Sequence, residues 1–348
     1  MRVFATLPQD DLNEVPQAAR AAEAVGYDGL VTMENRNEPF LALAVAAVNS
    51  TRIGLATGIA IAFARSPMAV ANAGWDLQRA SRGRFVLGLG SQVRAHNENR
   101  FSVTWTPPAP RLREYVQALR AIWRSWEKGE KLAYQGEHYR FTLMTPNFVP
   151  TSTHQPMVPV TLAAVGPAML RVAGEVADGV RLHPFCTRRY VDEVVMRELR
   201  TGFARGGRAR ERFEISGGGF IATGADDEAV ARMVEWVRYR VAFYGSTPAY
   251  WPVLDAHGLG ELGRKLNVMS KAGQWDAMAR EIPDDVVRLF AAIGTHRELA
   301  RAVAERFGAV ADAVALSGGY GVRQDVPPDL VQDLQRIPAA FTGFPDGW

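Results

Sequence analysis

Short apolar runs alternate along the chain with segments whose apolar positions recur at helical spacing. The run FVLGLG, which begins at Phe85, is typical of a strand buried on both faces. The segment RLREYVQALRAIW, which begins at Arg111, places apolar residues three or four positions apart and predicts an amphipathic helix. Repeated alternation of this kind requires crossover connections, so we predict a parallel sheet covered by helices.

The alternation repeats eight times. The predicted strands are RVFATL, DGLVTM, RIGLATGIAIAF, RFVLGLG, VPVTLAAVG, DGVRLH, FEISGGGFIAT and DAVALS. Eight strand–helix units favour an α/β fold of the closed (β/α)8 TIM barrel type over an open doubly wound sheet. We predict a single barrel domain over residues 1–348, with insertion segments at about 128–157 and 245–283. We also predict a structureless loop over 91–110 and a helix over about 284–307, broken near Gly294.

Composition excludes several classes of partner. The chain carries 40 basic and 37 acidic residues, a net charge of +3, and no basic block that would follow a nucleic-acid backbone. Its one cysteine, Cys186, allows no internal disulfide. The run LALAVAAV from Leu41 is too short to span a bilayer, and the N-terminal residues do not resemble a secretion signal. We therefore expect a cytoplasmic protein that binds a small molecule, with no nucleic-acid or membrane partner.

The glycines of the fourth predicted strand raise the possibility of a nucleotide-binding loop. Gly88 and Gly90 give a G-x-G pattern, but Val93 occupies the place of the third glycine in the dinucleotide fingerprint. The pattern also follows the fourth strand rather than the first, and no Walker motif is present. In a barrel, by contrast, both glycines fall at the C-terminal end of a strand, where barrel enzymes build their sites. They could equally relieve crowding inside the barrel.

Several segments in a fixed order resemble one family. They are GLATGIAIAFARSPMAVANAGWDLQRASRGRFVLGLGSQVRAH, then RLREYVQALRAIW, a G-E-x-Y-x-F hairpin, and PVTLAAVGPAMLRVAGEVADGV. This order resembles the luciferase-like monooxygenase superfamily, and within it the branch of oxidoreductases that depend on coenzyme F420, an 8-hydroxy-5-deazaflavin. The resemblance is good over residues 1–182 and looser beyond. It implies a bacterial luciferase-like barrel that transfers a hydride to or from a small organic substrate. The alternatives are an FMN-dependent monooxygenase and a non-catalytic flavin-binding barrel.

The resemblance also implies a coenzyme site. A bulge after the third strand, with a non-prolyl cis peptide, would support the planar ring, and the turn after the fifth strand would meet the phosphate. The implied coenzyme-binding residues are Thr57, Gly58, Ile59, Gly90, Ser91, Gln92, His96, Val165, Gly166 and Pro167. In the turn, Gly166 would expose backbone N–H groups, and the helix that starts at Pro167 would favour negative charge. Each feature could also be structural only.

The catalytic candidates are Glu34, Asn35, His96 and His183. Related sugar-phosphate dehydrogenases carry an acid–histidine pair where this chain has Glu34 and Asn35, and an amide cannot act as the base. Val93 stands where some relatives carry a catalytic glutamate. These departures favour reduction of an activated C=C, C=N or C=O bond, with the proton from Glu34, His183, His96 or water. The six histidines are scattered, so no metal is predicted.

Aromatic residues of the second insertion are the candidate substrate pocket. Tyr244, Tyr250 and Trp251 combine apolar rings with polar atoms, which suits a pocket wall. The same residues could instead form a surface between subunits, and we expect a homodimer.

Overall fold

Eight parallel strands close into a barrel in the computed structural model, which describes residues 1–316, 325–345 and 347. The strands are β1 (Arg2–Thr6), β2 (Gly29–Thr32), β3 (Gly54–Thr57), β4 (Ala60–Ile61), β5 (Phe85–Gly90), β6 (Tyr134–Gln135), β7 (Arg140–Phe141), β8 (Val160–Ala164), β9 (Gly179–Leu182), β10 (Glu214–Gly217), β11 (Phe220–Gly224), β12 (Ala291–Thr295) and β13 (Ala313–Ala315). The barrel order is β1, β2, β3, β5, β8, β9, β10, β13, and pairing of β13 with β1 completes the ring. The predicted TIM barrel is confirmed.

Helices surround the barrel. They are α1 (Val15–Val25), α2 (Pro39–Asn49), α3 (Pro67–Ala80), α4 (Arg94–Asn99), α5 (Pro108–Lys128), α6 (Pro167–Val176), α7 (Arg188–Tyr190), α8 (Met196–Gly206), α9 (Asp227–Gly245), α10 (Trp251–Asp255), α11 (Gly260–Lys271), α12 (Trp275–Ala279), α13 (Asp284–Phe290), α14 (Leu299–Phe307) and α15 (Pro328–Gln335). A π-helical turn, Val191–Val195, joins α7 to α8. In α3 the Ser66 hydroxyl accepts a hydrogen bond from the Met68 N–H, and Pro67 occupies the first turn, as its sequence predicts. None of these helices is long and apolar enough to cross a membrane.

Alternation along the strands separates the barrel interior from its outer face. Side chains that point inward form a small apolar cluster: Phe4, Val31, Ala56, Val86 and Ala313. Their neighbours along the strands belong to the large core beneath the helices. Phe344, near the C-terminus, packs against the inner cluster and is in ring contact with Phe341. The Asp312 carboxylate holds this segment by accepting the Phe341 N–H at 2.9 Å. Because this cluster fills the barrel interior, a ligand can enter at the end of the barrel that the C-terminal ends of the strands form.

The structure corrects the prediction of a helix over 284–307. Residues Ala291–Thr295 form a strand, β12, which pairs in parallel with β11 outside the barrel sheet. Helix α13 ends at Phe290, and α14 begins only at Leu299. The apolar spacing of this region is compatible with a helix, but pairing with β11 decides its conformation. Gly294 is therefore part of a strand rather than a helix break.

Two predicted strands are divided in the structure, and one predicted loop contains a helix. The third strand is interrupted at the Gly58–Ile59 peptide, which is cis, and continues as β4. The seventh is divided between β10 and β11 at Gly218, whose φ of 110° favours glycine. The loop predicted over 91–110 contains the short helix α4, so it is not structureless.

Candidate functional site

Three predicted coenzyme residues and the catalytic candidate His183 lie at the same end of four barrel strands. Gly58 follows β3, Gly90 ends β5, Gly166 follows β8, and His183 follows β9. Because all these strands are parallel and in register, their C-terminal ends form a single rim. The rim is the place where barrel enzymes bind their ligands.

The floor of this rim is made of small residues. A Cβ at Gly88 would clash with the carbonyl oxygen of Thr57, and a Cβ at Gly90 would lie 2.7 Å from the Ile59 side chain. Gly90 therefore makes room for Ile59, which was itself predicted to support a ring. The Thr57 hydroxyl donates to the Gly88 carbonyl at 2.7 Å and accepts the Gly88 N–H at 2.8 Å. Thr57 thus joins β3 to β5 and is fully buried.

Glu34 is engaged by the bulge rather than free in the rim. Its carboxylate accepts the Ile61 N–H at 2.6 Å and forms a salt bridge with Arg65 at 2.8 Å, and only 5% of its side chain is exposed. The Glu34 N–H donates to the Ile59 carbonyl at 3.2 Å. These contacts hold β4 and the bulge in place.

Asn35 and His96 are both exposed, and neither lines the pocket that contains His183. Asn35 is exposed, its side-chain oxygen accepts the Arg36 N–H, and it lines a polar pocket of about 250 Å³ beside the end of β1. His96 is exposed on α4. The residue that shapes this loop is Asn97, which is fully buried and donates to the Ser91 carbonyl at 2.9 Å.

The Asn97 side chain also donates to the Val93 carbonyl at 3.1 Å, next to Gln92, which has a φ of 55°. Asn97 thereby fixes the loop that carries Ser91 and Gln92. The sequence analysis missed it. The available signal was its position four residues after Val93 in a short polar stretch that follows a buried strand.

His183 and two of the predicted pocket residues are brought together. The His183 ring lies 4.4 Å from that of Tyr244 and 4.7 Å from that of Tyr250, measured between centroids. Its Nδ1 accepts the Phe185 N–H at 3.0 Å, so the neutral ring carries its proton on Nε2. Burial lowers the pKa of His183 to about 4. His183 is therefore a neutral hydrogen-bond donor near pH 7.

Trp251, the third predicted pocket residue, is turned toward the helices. Its indole N–H donates to the Gly245 carbonyl at 3.0 Å, and its ring packs against Gly263. Trp251 therefore holds α10 against the end of α9. Tyr244 and Tyr250 remain the two residues of this set that face His183.

A pocket of about 190 Å³ adjoins His183. Its lining is largely apolar and consists of Ala164, Val165, Leu182, His183, Phe185, Cys186, Tyr190, Val195 and Val253. The Tyr190 hydroxyl donates to the Val165 carbonyl at 3.1 Å, which fixes the turn after β8. Cys186 is buried, and burial raises the pKa of its thiol to about 12, so the thiol is protonated at neutral pH.

The turn after β8 has the properties of an anion site. Gly166 is the N-cap of α6, Pro167 begins the helix, and no side chain caps its N–H groups. No heavy atom lies within 4 Å of the position that a Cβ at Gly166 would occupy. The N-terminus of α6 thus presents unpaired donors and a partial positive charge to open space.

Arg181 in β9 stands inside the barrel and was not among the predicted residues. Its Nε donates to the Thr161 hydroxyl at 3.0 Å, and its guanidinium approaches Gly88 and Gly58. Nη2 is buried with no hydrogen-bond partner among the residues that the structure describes. The signal in the sequence was a charged residue at an inward position of a short apolar strand.

These features define a TIM barrel whose candidate ligand-binding residues lie at the C-terminal rim. The family model described as luciferase-like monooxygenase matches residues 2–313. The chain therefore belongs to the luciferase-like monooxygenase family.

Curated relatives include proteins without an assigned activity and named reductases. The chain is 48% identical over 327 residues to the uncharacterized protein Rv1360 of Mycobacterium tuberculosis, which covers 93% of this chain and 96% of that protein. It is 28% identical over 341 residues to a 5,10-methylenetetrahydromethanopterin reductase of Archaeoglobus fulgidus, with 95% of each chain covered.

Among solved structures, the fold is similar to that of the coenzyme F420-dependent tetrahydromethanopterin reductase from Methanopyrus kandleri. The TM-score is 0.76 at 19% identity, with 97% of each chain covered. It is also similar to the EDTA monooxygenase from Chelativorans sp. BNC1, with a TM-score of 0.71 at 13% identity, covering 98% of this chain and 95% of that one. At these identities both show the fold alone.

Proposed function

We propose that the protein is a coenzyme F420-dependent oxidoreductase that acts mainly as a reductase of an activated C=C, C=N or C=O bond in a small organic substrate. The observation that carries the proposal is the uncapped N-terminus of α6 at Gly166, which adjoins a largely apolar pocket containing neutral His183. An anion site beside an apolar pocket suits a planar coenzyme with a phosphorylated side chain. The Archaeoglobus fulgidus relative, which is named as a reductase, supports the direction of the reaction, and the fold is one that a coenzyme F420-dependent enzyme also has.

The residues present fit this coenzyme. Gly58, Ile59 and Gly90 would support the ring, Ser91 and Gln92 would border it, and Val165, Gly166 and Pro167 would hold the phosphate. When bound, the coenzyme supplies a hydride to the substrate. Other steps fall to the chain, because binding, orientation and electrostatics are what a protein contributes to cofactor chemistry.

His183 is the group that would polarise the substrate. Its Nε2–H donates a hydrogen bond to a carbonyl oxygen or an imine nitrogen, while the Phe185 N–H fixes the tautomer from the other side. A neutral imidazole is a poor proton donor, because losing its proton leaves an anionic ring. We therefore assign His183 the role of electrophile and assign the proton to solvent. Tyr244 and Tyr250 hold the ring in place.

Glu34 would act as a positioning residue. Its bonds to Ile61 and Arg65 hold the strand next to the bulge, so its loss would displace the ring support rather than remove a proton. Asn35 and His96 are assigned no chemical step. Both are exposed, and neither lines the pocket that contains His183.

A side-by-side titration with coenzyme F420, FMN, FAD and NADPH tests the proposal. We expect coenzyme F420 to bind most tightly, and the reduced coenzyme to be consumed in single turnover by an activated alkene, imine or ketone. Tighter binding of FMN together with oxygen-dependent turnover would identify an FMN-dependent monooxygenase instead. Binding of the deazaflavin without turnover of any substrate class would favour a binding protein. A homodimer and a cytoplasmic location remain predictions.

A further inference from the structure

Arg181 occupies an unusual position for a charged side chain. It is the third residue of β9, in register with Ala163 of β8 and Ser216 of β10, and it points into the barrel. The Thr161 hydroxyl accepts its Nε–H at 3.0 Å. A Cβ at Gly88 would lie 2.8 Å from its Nε, and a Cβ at Gly58 would lie 3.7 Å from its Nη1. The guanidinium therefore lies beneath the bulge and beside the small residues of the rim floor.

Within the described part of the chain, the protein uses the Nε–H donor of Arg181 but leaves Nη2 without a partner. Nη2 is buried and has no hydrogen-bond partner among the described residues, and within that part of the chain no salt bridge involves Arg181. The negative charge of Glu214 acts to raise the pKa of Arg181, but Glu214 itself forms a salt bridge with Arg2. Desolvation lowers the pKa of Arg181, yet a guanidinium remains charged at neutral pH. A net positive charge with unfilled donors thus remains inside the barrel.

Such a group is costly unless a ligand completes it. Buried polar groups are almost always hydrogen-bonded, and a desolvated charge beneath a cleft is a mark of a functional site. The missing partner must be an acceptor that carries negative charge and can reach the floor formed by Gly58 and Gly88. The 8-hydroxyl of an oxidised deazaflavin is conjugated with the nitrogen–carbonyl edge of its pyrimidine ring, so its ionisation places negative charge on that edge. The oxidised FMN ring has no such hydroxyl.

We propose that the Arg181 guanidinium binds the negatively charged nitrogen–carbonyl edge of the deazaflavin ring, and that it thereby selects the ionised deazaflavin over FMN. This inference rests on the proposed function and adds a residue that determines coenzyme choice. Arg181 touches the ring, while the N-terminus of α6 binds the phosphate. The two contacts can therefore be tested separately.

The test uses the intact protein and the deazaflavin riboside, which has the ring but neither phosphate nor tail. The ionisation of its 8-hydroxyl is followed by absorbance during a pH titration, free and bound. We expect binding to the wild type to lower the hydroxyl pKa and the change Arg181→Met to raise the bound value by one unit or more. One unit is a tenfold change in the ionisation equilibrium. Arg181→Lys, which keeps the charge, should restore part of the shift.

Arg189→Met is the matched control. It also removes one guanidinium, but from an exposed helix position where Arg189 pairs with Glu193 at 2.9 Å. It should leave the bound hydroxyl pKa unchanged. Thermal melting without ligand supplies a second readout, because replacing a buried, unpaired charge with an apolar side chain of similar length should leave the melting temperature unchanged or raise it. A purely structural Arg181 would instead give a lower melting temperature and no change in the hydroxyl pKa.

Two failures are distinguishable. If the wild type does not bind the riboside or coenzyme F420, the proposed function fails and the inference fails with it. If the wild type binds both and Arg181→Met leaves the hydroxyl pKa and the preference over FMN unchanged, only the role of Arg181 is refuted.

Discussion

Substitution of Gly166 separates coenzyme binding from folding. Gly166 has φ −81° and ψ 158°, an extended conformation open to every residue type, and the space for a Cβ is empty. A valine therefore fits without strain in the protein. Its branched side chain would stand at the N-terminus of α6, where we propose that the phosphate binds. The only expected cost to folding is the poorer N-cap, about 1 kcal/mol.

The expected loss of affinity follows from the contacts at a helix N-terminus. Interaction of an anion with the macrodipole is worth about 0.3–1 kcal/mol, and up to about 2 kcal/mol in a partly buried geometry. Loss of hydrogen bonds to the N–H groups adds to this. We therefore expect Gly166→Val to weaken binding of coenzyme F420 by a factor of ten or more, about 1.4 kcal/mol.

Gly166→Ser is the matched variant. A serine at the N-cap would accept the helix N–H groups itself, so it should stabilise the fold by a few tenths of a kcal/mol while competing with the phosphate. Affinity is measured by fluorescence titration and stability by thermal melting. The riboside without phosphate is the control ligand, and its affinity should change little in either variant. A folded Gly166→Val protein that binds coenzyme F420 as tightly as the wild type would refute the phosphate site.

Four further predictions concern the rim and the pocket beside it. Because the pKa of His183 is about 4, the rate of substrate reduction should show no inflection from this residue between pH 6 and 8. The change His183→Asn keeps an acceptor for the Phe185 N–H and should slow single-turnover reduction at least tenfold. An unchanged rate would exclude His183 as the electrophile. The imidazole of His183 has a higher pKa in the unfolded chain, 6.5, than in the folded protein. Its contribution to the free energy of unfolding is therefore complete above pH 6.5 and declines by up to about 3 kcal/mol as the pH falls toward 4. Melting temperatures of the wild type and of His183→Asn at pH 7 and pH 5 measure this difference. Glu34→Gln should lower the free energy of unfolding by about 2–4 kcal/mol through loss of the salt bridge with Arg65. A double-mutant cycle with Arg65→Gln checks this value. A large loss of rate at full stability would instead indicate that Glu34 takes part in the chemical step. The buried Cys186 thiol, with a pKa raised to about 12, should react with a thiol reagent only at the rate of unfolding, and rapid labelling of native protein would contradict its burial.

The barrel was predictable because its strands are short apolar runs in a regular order. Strand β12 was not, because the sequence AAIGT between two helical segments has no period of its own. Its conformation depends on pairing with Phe220–Gly224, about seventy residues earlier. The rim was also predictable, since Gly166 and His183 directly follow strands. Their positions come from the parallel topology alone, without any knowledge of side-chain contacts.

The chemistry of the site was less predictable than its position. Glu34 looked like an acid, but its role depends on Arg65, which comes 31 residues later and on another element. His183 looked like a proton donor until the Phe185 N–H and two tyrosine rings fixed it as a neutral donor. In each case the role of the side chain depends on its contacts with other residues. Residue type and spacing identify which side chains reach the rim but not which form of each is present.

Placing the phosphate contact on α6 and the ring contact on β9 has a consequence for selectivity. FMN and coenzyme F420 both carry a phosphate, so an anion site at Gly166 would give affinity for either. The ring offers a further means of discrimination, because its charge differs between the two coenzymes. The guanidinium of Arg181, whose Nη2 has no partner among the described residues, would provide an interaction that depends on that charge. A barrel of this family could therefore change its preferred coenzyme through a single inward-facing residue of β9, while its phosphate site and its fold stay the same.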